Sequence, residues 1–125
     1  MKIAVPIFGS RISPRFDYAP RFLFLVIDEE GNIVGQEEVQ SQDWTPMERV
    51  SYLRKKGIET LICGGVPNFL HSLLDGYGIR VIPWITGEAD EVIRLFLKGR
   101  LYPGTIVGGR GRRKRWRFCA GKKRW

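Results

Sequence analysis

The spacing of hydrophobic and polar positions changes several times along this chain, and each change marks an element. Lys2 to Ile7 is an apolar, largely β-branched run ending at Phe8-Gly9-Ser10, which predicts a first strand. Arg11 to Pro20 mixes two prolines with alternating polar residues and reads as a loop. Arg21 to Asp28 (R-F-L-F-L-V-I-D) is apolar almost without a break, so the second strand should be buried on both faces. Asp28-Glu29-Glu30-Gly31-Asn32 predicts a hairpin turn into a third, antiparallel strand from about Ile33 to Val39.

From Thr45 the period becomes helical. Thr45-Pro46-Met47-Glu48 supplies an N-cap, a proline at the first helical position and the glutamate of a capping box. That helix should run to about Lys56 and stop at Gly57, with Arg54, Lys55 and Lys56 beside the negative end of its dipole. Ile58 to Cys63 reads as a fourth strand and Ile79 to Pro83 as a fifth. Between them, Gly64-Gly65 leads to a helix near Pro67 to Asp75, with Phe69, Leu70, Leu73 and Leu74 on one face. Ala89, Val92, Ile93, Phe96 and Leu97 keep the spacing of an amphipathic helix from about Glu88 to Lys98.

The order βββαβαβα predicts an α/β fold: a five-stranded mixed sheet with helices packed on its faces. The first strand should be central, with the meander on one side and the parallel strands on the other, as in ribonuclease H-like folds. The domain should span residues 1–102, and residues 103–125 should form a flexible basic tail entered through Gly104, Gly108, Gly109 and Gly111.

Composition narrows this picture. With 43% hydrophobic residues, the 125-residue chain can fill one core, which excludes disorder throughout. No apolar run approaches the roughly 20 residues of a membrane span, and the N-terminal stretch lacks signal-peptide features, so the expected location is cytoplasmic. The net charge of +8 is unevenly placed: residues 1–109 carry 12 Lys and Arg against 13 Asp and Glu, whereas residues 110–125 carry nine basic residues and no acid. The two cysteines, Cys63 and Cys119, fit neither a structural disulfide nor a zinc spacing.

The motifs Met1-Lys2-Ile3-Ala4-Val5-Pro6 and Ser13-Pro14-Arg15-Phe16-Asp17-Tyr18-Ala19-Pro20-Arg21-Phe22 open a series. It continues through Leu61-Ile62-Cys63-Gly64-Gly65, Gly78-Ile79-Arg80-Val81-Ile82-Pro83 and Trp84-Ile85-Thr86-Gly87-Glu88-Ala89-Asp90-Glu91-Val92. In this order the series resembles the dinitrogenase iron–molybdenum cofactor biosynthesis domain family, of NifX and NifB C-terminal type, over residues 1 to about 102. The resemblance implies a ribonuclease H-like domain that carries an anionic iron–sulfur or iron–molybdenum type cofactor or its precursor, without turnover chemistry. Many family members have His-Phe-Gly where this chain has Arg15-Phe16-Asp17, so the histidine expected to ligate the cluster is absent.

The residues themselves suggest where an anionic species would sit. Cys63 ends the fourth strand before Gly64-Gly65 and a helix start, where backbone N–H groups and the helix dipole favour a thiolate able to ligate a cluster. The alternative is a small buried core thiol. Gly9, Ser10, Gly64 and Gly65 follow strands expected to be neighbours, and ligands of open α/β sheets bind outside the carboxyl ends of strands. With Arg11, Arg15 and Phe16 they form the candidate cofactor-binding set, against the alternative that the glycines only make tight turns. A nucleophilic Cys63 with the sole histidine, His71, would lack a third orienting group, and His71 reads as a partly exposed helix residue. A metal-dependent nuclease would need an acid in the first strand, and none is present.

The tail interleaves Arg112, Arg113, Lys114, Arg115, Arg117, Lys122, Lys123 and Arg124 with Trp116, Phe118 and Trp125. Basic residues neutralise phosphates and aromatic planes stack on bases, so the second functional class is an adaptor on nucleic acid or another anionic surface, such as acidic protein. Monomer and homodimer both stand open, the latter through an exposed edge strand.

Overall fold

The computed structural model describes residues 1–108 of the chain. Strands β1 (Lys2–Phe8), β2 (Arg11–Ile12), β3 (Arg21–Ile27) and β4 (Ile33–Gln40) come first. They are followed by α1 (Pro46–Lys56), β5 (Thr60–Ile62), α2 (Asn68–Gly76), β6 (Arg80–Ile82) and α3 (Ala89–Leu97). The sheet order is β4-β3-β1-β5-β6, with β2 paired to β1 alone. β1 is therefore central. It runs antiparallel to β3 from Lys2↔Val26 to Ile7↔Arg21, and parallel to β5 at Ile3↔Thr60 and Ala4↔Leu61.

The α/β class and the mixed sheet follow the expected order, with one correction: the sheet has six strands, not five. The extra strand is two residues long and lies in the stretch expected to be a loop. A two-residue hairpin turn at Gly9-Ser10, with Gly9 at φ 64°, folds Arg11 and Ile12 back onto Phe8 and Ile7. Two residues are too few to show a period.

Alternation along the strands sorts the core into two layers. Ile3, Val5, Ile7, Leu23, Leu25 and Ile27 face α3, where Ala89, Val92 and Ile93 complete one cluster. Ala4, Phe22, Phe24, Leu61 and Cys63 face the other way, against Val50 and Leu53 of α1 and Leu70 and Leu74 of α2. The capping box of α1 forms as the sequence predicts: Thr45 Oγ1 accepts from the Glu48 N–H at 3.1 Å, and Glu48 Oε1 accepts from the Thr45 N–H at 2.8 Å. Gly57, at φ 73°, ends the helix in the left-handed region.

One cation belongs to this interior. Arg49 on α1 is 1% exposed and donates to Ala19 O (2.8 Å) and Ser41 O (2.9 Å), while its Nε has no partner. Desolvation lowers its pKa. The guanidinium thus ties the segment before β3 to the β4–α1 connection.

The chain does not leave the domain at residue 102. Leu101 is buried, the Gly104 N–H donates to Pro83 O (3.1 Å), and Thr86 and Val107 exchange the pairing of an isolated parallel bridge through Ile106. Gly87 makes this contact possible, since a Cβ there would stand 2.6 Å from Val107 Cβ. No helix among the described residues is long and apolar enough to cross a membrane.

Candidate functional site

The carboxyl ends of β1, β5 and β6 deliver three loops to one end of the sheet: residues 9–20, 63–67 and 83–88. In a sheet whose strand order reverses at β1, this is where a crevice opens for ligands. The first two loops are pressed together. The Gly65 N–H donates to Pro14 O (2.7 Å), the Phe16 N–H donates to Gly65 O (2.8 Å), and Arg15 bridges Gly65 in parallel. Gly64 is required by this approach, because a Cβ there would lie 2.5 Å from Ser13 O and 2.7 Å from Pro14 O. The third loop joins through the Trp84 N–H, which donates to Gly64 O (2.9 Å), and the Ile85 N–H, which donates to Cys63 O (3.0 Å).

The structure redistributes the residues expected to bind. The Gly65 N–H is committed to Pro14 and unavailable to an anion, and Gly9 serves the β1–β2 turn. Phe16 is wholly buried, with its ring edge-on to Phe22 at 5.8 Å, so it is a core residue and cannot touch a ligand. Cys63 is also wholly buried among Ala4, Leu61 and Leu70, and desolvation pushes its thiol up to about 12. The thiolate expected from the helix start does not form in this arrangement, because burial outweighs any gain from the dipole. Ser10 points at the start of α3: its Oγ donates to Glu88 Oε1 (2.8 Å), and its carbonyl accepts from the Ala89 N–H (2.8 Å).

Arg11 and Arg15 do reach this end, each with a carboxylate. Arg11 Nη1 lies 3.6 Å from Glu88 Oε2. Arg15 makes a two-pronged contact with Asp17, Nε to Oδ1 at 3.0 Å and Nη2 to Oδ2 at 2.9 Å, and the carboxylate raises its pKa. The guanidinium carbon of Arg15 also stands 5.6 Å from the centre of the exposed Tyr18 ring. The two positions where the chain departs from the family's His-Phe-Gly are therefore partners in one ion pair.

Trp84 was not among the expected site residues, yet it is the most unusual residue of this face. Among described residues other than glycine it alone has a positive φ, 64°, and its side chain is 62% exposed. Its ring lies over Gly65, where an added Cβ would meet Cζ3 at 3.1 Å. A left-handed aromatic residue costs on the order of 1–2 kcal/mol, and such outliers gather at ligand sites. Phe8, Tyr18, Phe69 and Ile106 are exposed on elements and loops at the same end. The signal in the sequence was an aromatic residue placed directly after the strand-ending Pro83.

Elsewhere the surface is less suited to an anion. A recess of about 700 Å³ at the opposite end is lined by Met1, Ile27, Asp28, Glu29 and Glu30, whose carboxylates repel negative charge. His71 Nε2 lies 3.7 Å from Asp75 Oδ2, one turn along α2, half-exposed as expected. Among the described residues no three His, Cys, Asp or Glu side chains are grouped to hold a metal ion. The candidate residues Arg112, Arg113, Lys114, Arg115, Trp116, Arg117, Lys122, Lys123 and Arg124 lie outside the described residues.

Fold and face together define a small α/β domain that presents an aromatic and arginine-bearing loop surface at the switch point of a mixed sheet. The sequence profile of the family described as dinitrogenase iron–molybdenum cofactor matches residues 1–99, and the chain belongs to that family. It is 32% identical over 106 residues to an uncharacterized protein of Methanocaldococcus jannaschii, covering 81% of this chain and 89% of that protein. Among solved structures, the crystal structure of PH0822 superposes with a TM-score of 0.74 at 22% identity, covering 82% of this chain and 96% of that one. The apo form of the orange protein from Desulfovibrio gigas gives 0.65 at 25% identity, covering 80% and 89%.

Proposed function

We propose that this chain holds an anionic iron–sulfur or iron–molybdenum type cluster, or a precursor, as cargo on the loop face at the carboxyl ends of β1, β5 and β6. The cargo is held without turnover. Membership of the cofactor family supports the class of cargo, and the observation that carries the location is Trp84, strained and exposed over Gly65. We retain the ribonuclease H-like reading of the strand order, with no acid in β1 to support nuclease chemistry.

The donor set decides the manner of holding. A ligated cluster needs several thiolates or imidazoles; the family's histidine is replaced by Arg15, and Cys63 is sealed in the core. Arg11 and Arg15 can turn from their carboxylates toward a more highly charged anion, while Trp84 and Tyr18 shield its apolar flank. The cluster is thus gripped through its outer sulfur atoms rather than bonded to the protein.

The test is anaerobic loading of the full chain with iron and sulfide, and separately with tetrathiomolybdate. A stoichiometric chromophore with quenched tryptophan fluorescence is expected. Trp84→Ala and Arg11→Gln should each weaken it about tenfold, and Cys63→Ser should retain it. Loss in Cys63→Ser alone would put thiolate ligation in place of outer-sphere holding. A colourless protein that refuses both probes would end the cargo reading.

A further inference from the structure

Six large hydrophobic side chains among the described residues are 62–73% exposed, and all but Tyr102 stand at one end of the domain: Phe8, Tyr18, Phe69, Trp84 and Ile106. Phe8 closes β1, Phe69 lies in the first turn of α2, and Ile106 is bridged to Thr86. Separate elements thus bring apolar bulk to the loops around Trp84. Exposed hydrophobic residues are ordinary when scattered, but gathered at one place they mark a surface that something covers.

Area says what kind of partner this is. A Phe, Tyr or Trp side chain buries about 150–250 Å², so the four rings, roughly two-thirds uncovered, offer on the order of 500 Å² of apolar surface. An anion of a few metal and sulfur atoms cannot span them all. A standard protein interface takes about 800 Å² from each partner, somewhat over half of it apolar, which matches this face. Charge identifies the partner. Arg11 and Glu88 lie side by side at 3.6 Å, both solvent-accessible, and Arg15 is paired with Asp17 beside Tyr18. A partner of one sign gains nothing from such mixed charges, whereas a second copy turned about a two-fold axis sets Arg11 opposite Glu88 twice. The exposed edge of β4 is less suited to a second copy. Its pairing with β3 shifts register at Val26/Ile27, and Glu37 and Glu38 stand within it, features that keep sheet edges apart.

We propose, resting on the cargo reading above, that two copies of this chain close loop face to loop face over one cargo anion, and that the site is complete only in this pair. A single copy offers Arg11 and Arg15 to one side of the anion and leaves the other side in water. The second copy supplies the same two arginines to the far side, and the exposed rings of both copies seal the rim. The anion in turn offsets the repulsion of four guanidinium groups brought together across the axis, so loading and pairing favour each other.

The experiment measures the mass of the full-length protein by light scattering on a sizing column under anaerobic conditions, empty and after loading with tetrathiomolybdate. Molybdenum is determined in the same fractions. Empty protein should run near the 14.4 kDa of one chain, and loaded protein at twice that mass with one molybdenum per two chains. Phe8→Ser with Phe69→Ser removes apolar area while leaving Arg11, Arg15, Tyr18 and Trp84 in place. This variant should stay single when loaded and bind tetrathiomolybdate at least about tenfold more weakly. Both positions are exposed, and an unchanged unfolding curve confirms that the variant is folded. Loaded protein of single mass, with one molybdenum per chain, overturns the pairing and leaves the cargo reading intact. Equal masses before and after loading also overturn it, as does doubling that survives in the serine variant, which would put the contact elsewhere, as at β4. Protein that refuses tetrathiomolybdate overturns the pairing, and only refusal of iron and sulfide as well would end the cargo reading with it.

Discussion

Cys63 shows how one residue can satisfy a local pattern and still do something else. Strand end, double glycine and helix start all favour a thiolate, but the same strand is flanked by β1 and β6 and roofed by α2, which leaves the sulfur without solvent. Iodoacetamide should therefore leave Cys63 unmodified in the native protein and alkylate it in urea, as peptide mapping would show. Its raised pKa also sets a pH dependence: above about 9 the unfolded thiol releases its proton while the folded one keeps it until about 12. Stability conferred by the neutral thiol is complete below that window and declines through it as pH rises. Cys63→Ala should remove this part of the decline in unfolding measured at successive pH values. Phe16 and Trp84 repeat the lesson in opposite senses, since adjacent motif letters gave no indication of which ring turns inward.

At the scale of elements the sequence was most informative where chemistry is local. The capping box at Thr45, the stop at Gly57 and the amphipathic spacing of α3 each depend on residues within a turn or two, and each forms as expected. What stayed hidden depends on distant partners. Arg49, inside a helix of mixed polarity, reads as a surface residue, but it is the pin between the Ala19 and Ser41 segments. Arg49→Met fills the space yet strips donors from both carbonyls; Ser41 Oγ still serves Ala19 O at 2.8 Å. A loss of about 2–3 kcal/mol is expected, read as a lower urea midpoint at unchanged slope. The return of residues 104–107 to Thr86 was hidden for the same reason, since its bonds go to a loop distant in sequence, whereas β2 pairs locally with β1 and was hidden by its two-residue length.

The whole molecule is ordered around β1, which has neighbours on both sides and helices over both faces. Hydrogen exchange should place the Ala4 and Val5 amides among the slowest, opening only with global unfolding, while those of the edge strand β4 exchange through smaller local openings. Equal protection along β1 and β4 would contradict that hierarchy. The strand order itself was legible, because a meander followed by two right-handed βα units leaves few ways to fill a sheet. Where the chain finally departs has a practical bearing as well. Since Val107 is clasped to Thr86, a dye, an affinity tag or a sensor chip coupled directly at residue 108 is brought up against the loops around Trp84. The β3–β4 turn at Glu30 lies at the far end of strands roughly 20 Å long. Immobilised through residue 108 the domain would stand with that face toward the support, and attached at Glu30 it would stand with the face toward solution.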